Sequence, residues 1–141
     1  MTTESELIAL AERVEAATGP NYALEVEIFK AIHPEYAGYV QGRGGLVRPY
    51  DGSDQRVLSD VRPGNYTASL DAAMTLVPSD PWLEIRGPRK YLNIPTHSPN
   101  FWSANVSCWN HEGQKTGWGA TPALALTAAA LRARAAAQVS A

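Results

Sequence analysis

Apolar residues recur at helical spacing near both ends of this chain and in its middle, and alternate at strand spacing in between. Leu7, Leu10, Ala11, Val14 and Ala17 share one side of a helix, which Thr3 and Glu6 open at the spacing of a capping box. Gly19-Pro20 ends that run. Asn21 caps a second helix over Tyr22–Ile32, with Leu24, Ile28 and Ala31 on one side and Pro34 beyond its end. Its polar side adds Glu25 and Glu27 to the acids of the first helix, so the pair predicts an acidic, solvated N-terminal surface.

The pattern dissolves over 34–65 into glycines, prolines and tyrosines. Gly45-Leu46-Val47 and Arg56-Val57-Leu58 are short strand candidates there, as a hairpin turning at Asp51-Gly52. Leu70, Ala73, Met74 and Val77 then mark a short third helix, capped by Thr67 or Ser69 and stopped by Pro78. Over 82–86, Leu83 and Ile85 alternate with Trp82, Glu84 and Arg86. Over 101–109, Trp102, Ala104, Val106 and Cys108 form an apolar face, and a turn at 111–114 leads to a return strand through 116–118. Thr121 caps the last helix with Pro122 at its first position; Leu124, Ala128, Leu131 and Ala135 form its stripe, and its alanines suit close approach to a sheet.

These elements predict a single α+β domain over 1–141: a helix pair (1–33), an irregular segment (34–65) and a helix–three strands–helix core (66–141). The fold class expected is a small antiparallel sheet with α-β-β-β-α core order and the N-terminal helix pair as a third layer, on the second sheet face or at an edge. The tryptophans bear on this choice. Trp102 and Trp118 are assigned to the face under the helices, and Trp82 and Trp109 to the opposite face, where either the helix pair covers them or an aromatic patch is left open to a partner.

Composition adds mainly exclusions. The chain has 141 residues, 45% of them apolar and 18% charged, enough for one real core. Twelve basic residues against fourteen acidic ones give a net charge of -2, so no general phosphate-binding face is indicated. A single cysteine excludes an internal disulfide. Glu4 and Glu6 stand where a secretory signal would carry positive charge, and the apolar run at 123–131 is too short for a bilayer, so a cytoplasmic location is expected.

Candidate chemistry is sparse. Cys108 and His111 have the spacing of half a zinc site, but His97 and His33 supply no paired second half, so Cys108 is read as a buried, inert thiol. Those histidines and Cys108 form no nucleophile with an oriented base. Gly42-Arg43-Gly44-Gly45 lacks the lysine and following helix of a phosphate loop. Glu12 with Glu15 and Glu25 with Glu27 lie on solvated helix faces, where nothing tunes a carboxylate for acid–base work. No cofactor, metal or catalytic residue is expected. The connection over 87–100 is longer than a hairpin needs and gathers positive charge and donors, so Arg86, Arg89, Lys90, Tyr91 and His97 are the candidate binding residues.

Leu7-Ile8-Ala9-Leu10-Ala11-Glu12-Arg13-Val14-Glu15-Ala16-Ala17-Thr18-Gly19-Pro20, Tyr66-Thr67-Ala68-Ser69-Leu70-Asp71-Ala72-Ala73, and Gly119-Ala120-Thr121-Pro122-Ala123-Leu124-Ala125-Leu126 with its continuation over 128–133 together carry a resemblance. In that order they resemble the small uncharacterised phage and prophage proteins of the phage α/β/α-sandwich domain. The resemblance implies a phage or prophage origin and a host-cytoplasm location, and brings no catalytic residues. Over 69–137 the element order also resembles double-stranded-RNA-binding domains. Those hold phosphates with lysines at the start of their last helix; here Ala120-Thr121-Pro122-Ala123-Leu124 has no basic residue. The function expected is therefore non-enzymatic binding of a host protein or a small anionic ligand, with a nucleic-acid-binding module of the double-stranded-RNA type as the alternative and charge arguing against it.

Overall fold

The computed structural model describes residues 3–41, 46–47, 62–78, 81–88, 101–108 and 114–140, and all that follows concerns them. Helix α1 (Glu4–Ala16) starts with the full capping box, Thr3 and Glu6 each accepting from the other's backbone N–H, and ends at Ala17, before Gly19-Pro20. Helix α2 (Tyr22–Ile32) begins where Asn21 Oδ1 accepts from the Leu24 N–H. A 3-10 turn (Pro34–Tyr36) follows, then β1 (Val40–Gln41) paired antiparallel with β2 (Leu46–Val47). The strand at 46–47 thus pairs with the chain preceding it; residues 56–58, its expected partner, lie outside the described residues. Helix α3 (Leu70–Met74) is capped by Ser69, because Thr67 is engaged elsewhere.

Strands β3 (Pro81–Arg86), β4 (Trp102–Cys108) and β5 (Gln114–Gly119) form an antiparallel sheet in that order, and α4 (Pro122–Ser140) follows, its Thr121 cap accepting from the Leu124 N–H. No helix among the described residues is long and apolar enough to cross a membrane.

Helix α4 organises everything else. Ala125, Leu126, Ala129 and Ala133 pack with Ala104, Val106, Trp102 and Ile85 of the sheet and with Ala73 of α3. Leu124, Ala128, Leu131 and Ala135 pack instead with Leu7, Leu10, Val14, Leu24 and Ile28 of α1 and α2. At 100° per residue those two sets point in different directions from one helix axis, so α4 separates two cores. A third side receives 62–78, where Thr127 Oγ1 donates to the Tyr66 carbonyl and Arg134 Nε to the Leu76 carbonyl. Every residue from Ala123 to Leu131 is accordingly buried.

Close packing on β5 explains the alanines. A Cβ on Gly119 would lie 2.7 Å from the Ala125 nitrogen, and one on Gly117 would collide with the Ala125 carbonyl oxygen and the Ala129 nitrogen. Both glycines therefore face the helix. Trp118 between them points the other way and stands opposite Ser103, which corrects its assignment to the helix-covered face. Trp102 does face α4, packing against the cluster around Ala104.

The helix pair stacks beyond α4 and along β5 rather than over Trp82, which stays 54% exposed. The physical reason is the double-sided burial of α4: its Leu124 stripe needs a cover, and α1 and α2 supply it. Two acids expected in solvent are consequently withdrawn from it, Glu25 fully and Glu15 in part. Glu25 is 6% exposed, and its Oε2 accepts from both the N–H and the hydroxyl of Thr67, while Thr67 Oγ1 accepts from the Asn21 N–H. The acid thereby joins α2 to the 62–78 segment, its charge met by donors as burial requires. Glu15, at the end of α1, pairs with Arg132 of α4.

Candidate functional site

The second face of the sheet is the candidate site. Register sets Trp82, Glu84 and Arg86 of β3 opposite Ser107, Asn105 and Ser103 of β4, and these opposite Gln114, Thr116 and Trp118 of β5. All nine side chains are exposed or half-buried. Thr116 Oγ1 donates to Asn105 Oδ1 at 2.7 Å in the middle of the face, and Arg86 pairs with Glu84 beside it. The result is a polar floor with an exposed indole at one margin and a half-buried one at the other.

Of the residues that the sequence singles out for binding, Arg86 belongs to this face and is exposed, but its charge is balanced by Glu84. Arg89, Lys90, Tyr91 and His97 lie outside the described residues, as do Trp109 and His111. Cys108 ends β4 opposite Pro81; its side chain is outside them too.

At the β5 margin the backbone is closed by side chains. Glu15 Oε2 accepts from the Trp118 N–H at 3.0 Å, and Arg132 Nη1 donates to the Thr116 carbonyl at 2.8 Å. The two side chains meet in a bidentate pair, both contacts 2.6 Å, with 12% of the Glu15 and 23% of the Arg132 side-chain surface exposed. The hydrogen bond to Glu15 raises the Arg132 pKa further above its already high value, against the opposing effect of burial. This cluster ties α1, β5 and α4 together and is structural.

Two other features weigh less. A groove of about 470 Å³ between α1 and α2 is lined by Glu6, Leu10, Arg13, Glu27 and Lys30, and the Arg13–Glu27 pair, 2.6 Å apart, spans it. Its charges compensate one another at the surface, where such pairs bring little energy. Arg134 keeps a guanidinium whose pKa is lowered by burial, beside Tyr66, whose own pKa burial raises. No three His, Cys, Asp or Glu side chains converge on a point among the described residues.

Sequence reasoning missed Trp118, Glu15 and Glu25. Signals for each were present. The glycines on either side of Trp118 answer an alanine-rich helix and so mark the covered face. On the wheel of α2, Glu25 falls between Ile28 and Phe29, inside the apolar arc. Compared with known protein families, with curated proteins and with solved structures, the chain matches none of them.

Proposed function

We propose that this chain is a small non-enzymatic binding protein that takes a partner protein on the open face of its sheet. The observation that carries the reading is Trp82, an indole 54% exposed on the same strand face as Arg86 and a row of short polar side chains. Tryptophan and arginine are the residue types on which protein interfaces concentrate their energy. A small anionic ligand is the weaker version, since Glu84 already balances Arg86. The phage or prophage origin, and with it a bacterial host protein as partner in the host cytoplasm, belongs to the same proposal and rests on the sequence resemblance alone.

The double-stranded-RNA alternative draws support from the order α3-β3-β4-β5-α4. Against it stands α4, which in such a domain offers its start to phosphates and here is buried from Ala123 to Leu131 under α1, α2 and the 62–78 segment. Photo-crosslinking in the bacterial host tests the reading. A benzoylphenylalanine at Ser107 or Ser103 is expected to give a discrete adduct with one protein, lost with Trp82→Ala, while the same group at Glu12 gives none. Adducts from Glu12 alone would move the site to the helices. Binding of duplex RNA with a steep salt slope would favour the alternative, because counterion release scales with the phosphates contacted.

A further inference from the structure

The hydrogen bonds at the β5 margin fix the direction of every backbone group in the sheet. In an antiparallel ladder a residue's N–H and C=O point to the same side, and successive residues alternate. Trp118 and Thr116 turn theirs outward to Glu15 and Arg132, so Gly117 and Lys115 bond to β4 at Ala104 and Val106. Ser103, Asn105 and Ser107 then serve Arg86, Glu84 and Trp82. Leu83, Ile85 and Gly87 are left with outward N–H and C=O groups that no described residue meets. Among the described residues the β3 margin is an open edge, of the kind that pairs with another strand.

We infer that β3 pairs antiparallel with β3 of a second copy of this chain, about a two-fold axis at Ile85. Four registers place the axis on or near the strand centre, and the side chains choose among them. An axis at Glu84 sets Glu84 against its own copy, and one at Arg86 sets two arginines together; like charges directly opposite are destabilising. An axis at Leu83 brings Pro81, which has no N–H, against Ile85 and loses a bond. With the axis at Ile85, Glu84 faces Arg86 of the second copy, and Arg86 faces its Glu84. Ile85 then bonds reciprocally with its counterpart, and Leu83 with Gly87 of the second copy. Trp82 gains Pro88 of the second copy as its cross-strand neighbour, an exposed ring for an exposed indole. Such an isologous contact closes on itself. It joins two three-stranded sheets into one of six strands, and it stands whether or not the open face takes a partner.

Sedimentation at micromolar to millimolar concentration tests the pairing. The wild-type chain is expected to approach twice its mass of 15.2 kDa as concentration rises. Glu84→Arg should raise the dimer dissociation constant about tenfold by turning two attractive pairs repulsive. Adding Arg86→Glu should restore association, because the swapped charges again face opposites. Amide exchange keeps the test independent of any variant: Leu83, Ile85 and Gly87 N–H groups should become protected only as the protein is concentrated, while those of Trp82, Glu84 and Arg86 stay protected throughout. A wild-type monomer across the range, no rescue by the charge swap, or Leu83 and Ile85 amides protected at every dilution would each overturn it, the last by showing that the chain closes its own edge.

Discussion

Strands β5 and β3 bound the same sheet, yet they meet their surroundings in opposite ways. β5 is pressed on one face by the α4 backbone and has its outward amide and carbonyl engaged by Glu15 and Arg132. β3 carries an exposed tryptophan, a half-buried Leu83 and an outward backbone without a described partner. The lesson is that one small sheet can be anchored at one margin and left receptive at the other, so stability and recognition need not compete for the same residues.

The comparison breaks most visibly if β5 proves tolerant. Gly117→Val puts a branched side chain into the α4 backbone, which cannot yield as a flexible side chain would. A loss of about 3 kcal/mol or more, or failure to fold, is expected in thermal and urea unfolding. Next comes Arg132→Met, which strands the Glu15 carboxylate and frees the Thr116 carbonyl. Because both partners keep some exposure, the cost should sit near the lower end for buried pairs, about 3 kcal/mol. Leu83→Thr on β3 should cost less than about 1 kcal/mol, as for a partly exposed edge position. Equal losses at Arg132 and Leu83 would erase the distinction.

The smallest effect sharpens it by acting elsewhere. Tyr66 lies against a different side of α4 from β5, and burial raises its pKa above the ordinary value of about 10. The folded chain therefore holds this proton more tightly than the unfolded chain. Its stabilisation is intact below the unfolded pKa and declines as pH rises through the raised one. Alkaline melting curves should show that decline, and Tyr66→Phe should flatten it without changing the exchange rate of the Trp118 amide.

The helices, the three-stranded order and their caps could be read from the sequence, because periodicity and capping act within a few residues. Thr3 with Glu6, Asn21 and Thr121 all cap as their spacing suggests. What escaped depends on contacts between distant parts of the chain. Glu15 reads as a solvated acid until Arg132, more than a hundred residues away, is brought to it. Glu25 reads likewise until Thr67 arrives. The direction of Trp118 was hidden differently, since its two glycine neighbours signal by what they lack. Within the candidate site Arg86 was legible by its alternation with Ile85, whereas the loss of its free charge to Glu84 required the strand's geometry.

Helix α4 also governs when this protein can fold. It follows every other described element in the chain, and both cores are built around it: α1 and α2 bury Leu10 and Val14 in one, and the sheet buries Ala104 and Val106 in the other. Its contact with α1 spans nearly the whole chain, and such separation slows folding because a long loop must close before any energy is returned. The N-terminal helices reach their native burial only once the alanine-rich segment has left the ribosome. Completion of the native state waits on that segment, and the interval before it is when a chaperone or protease would find this chain.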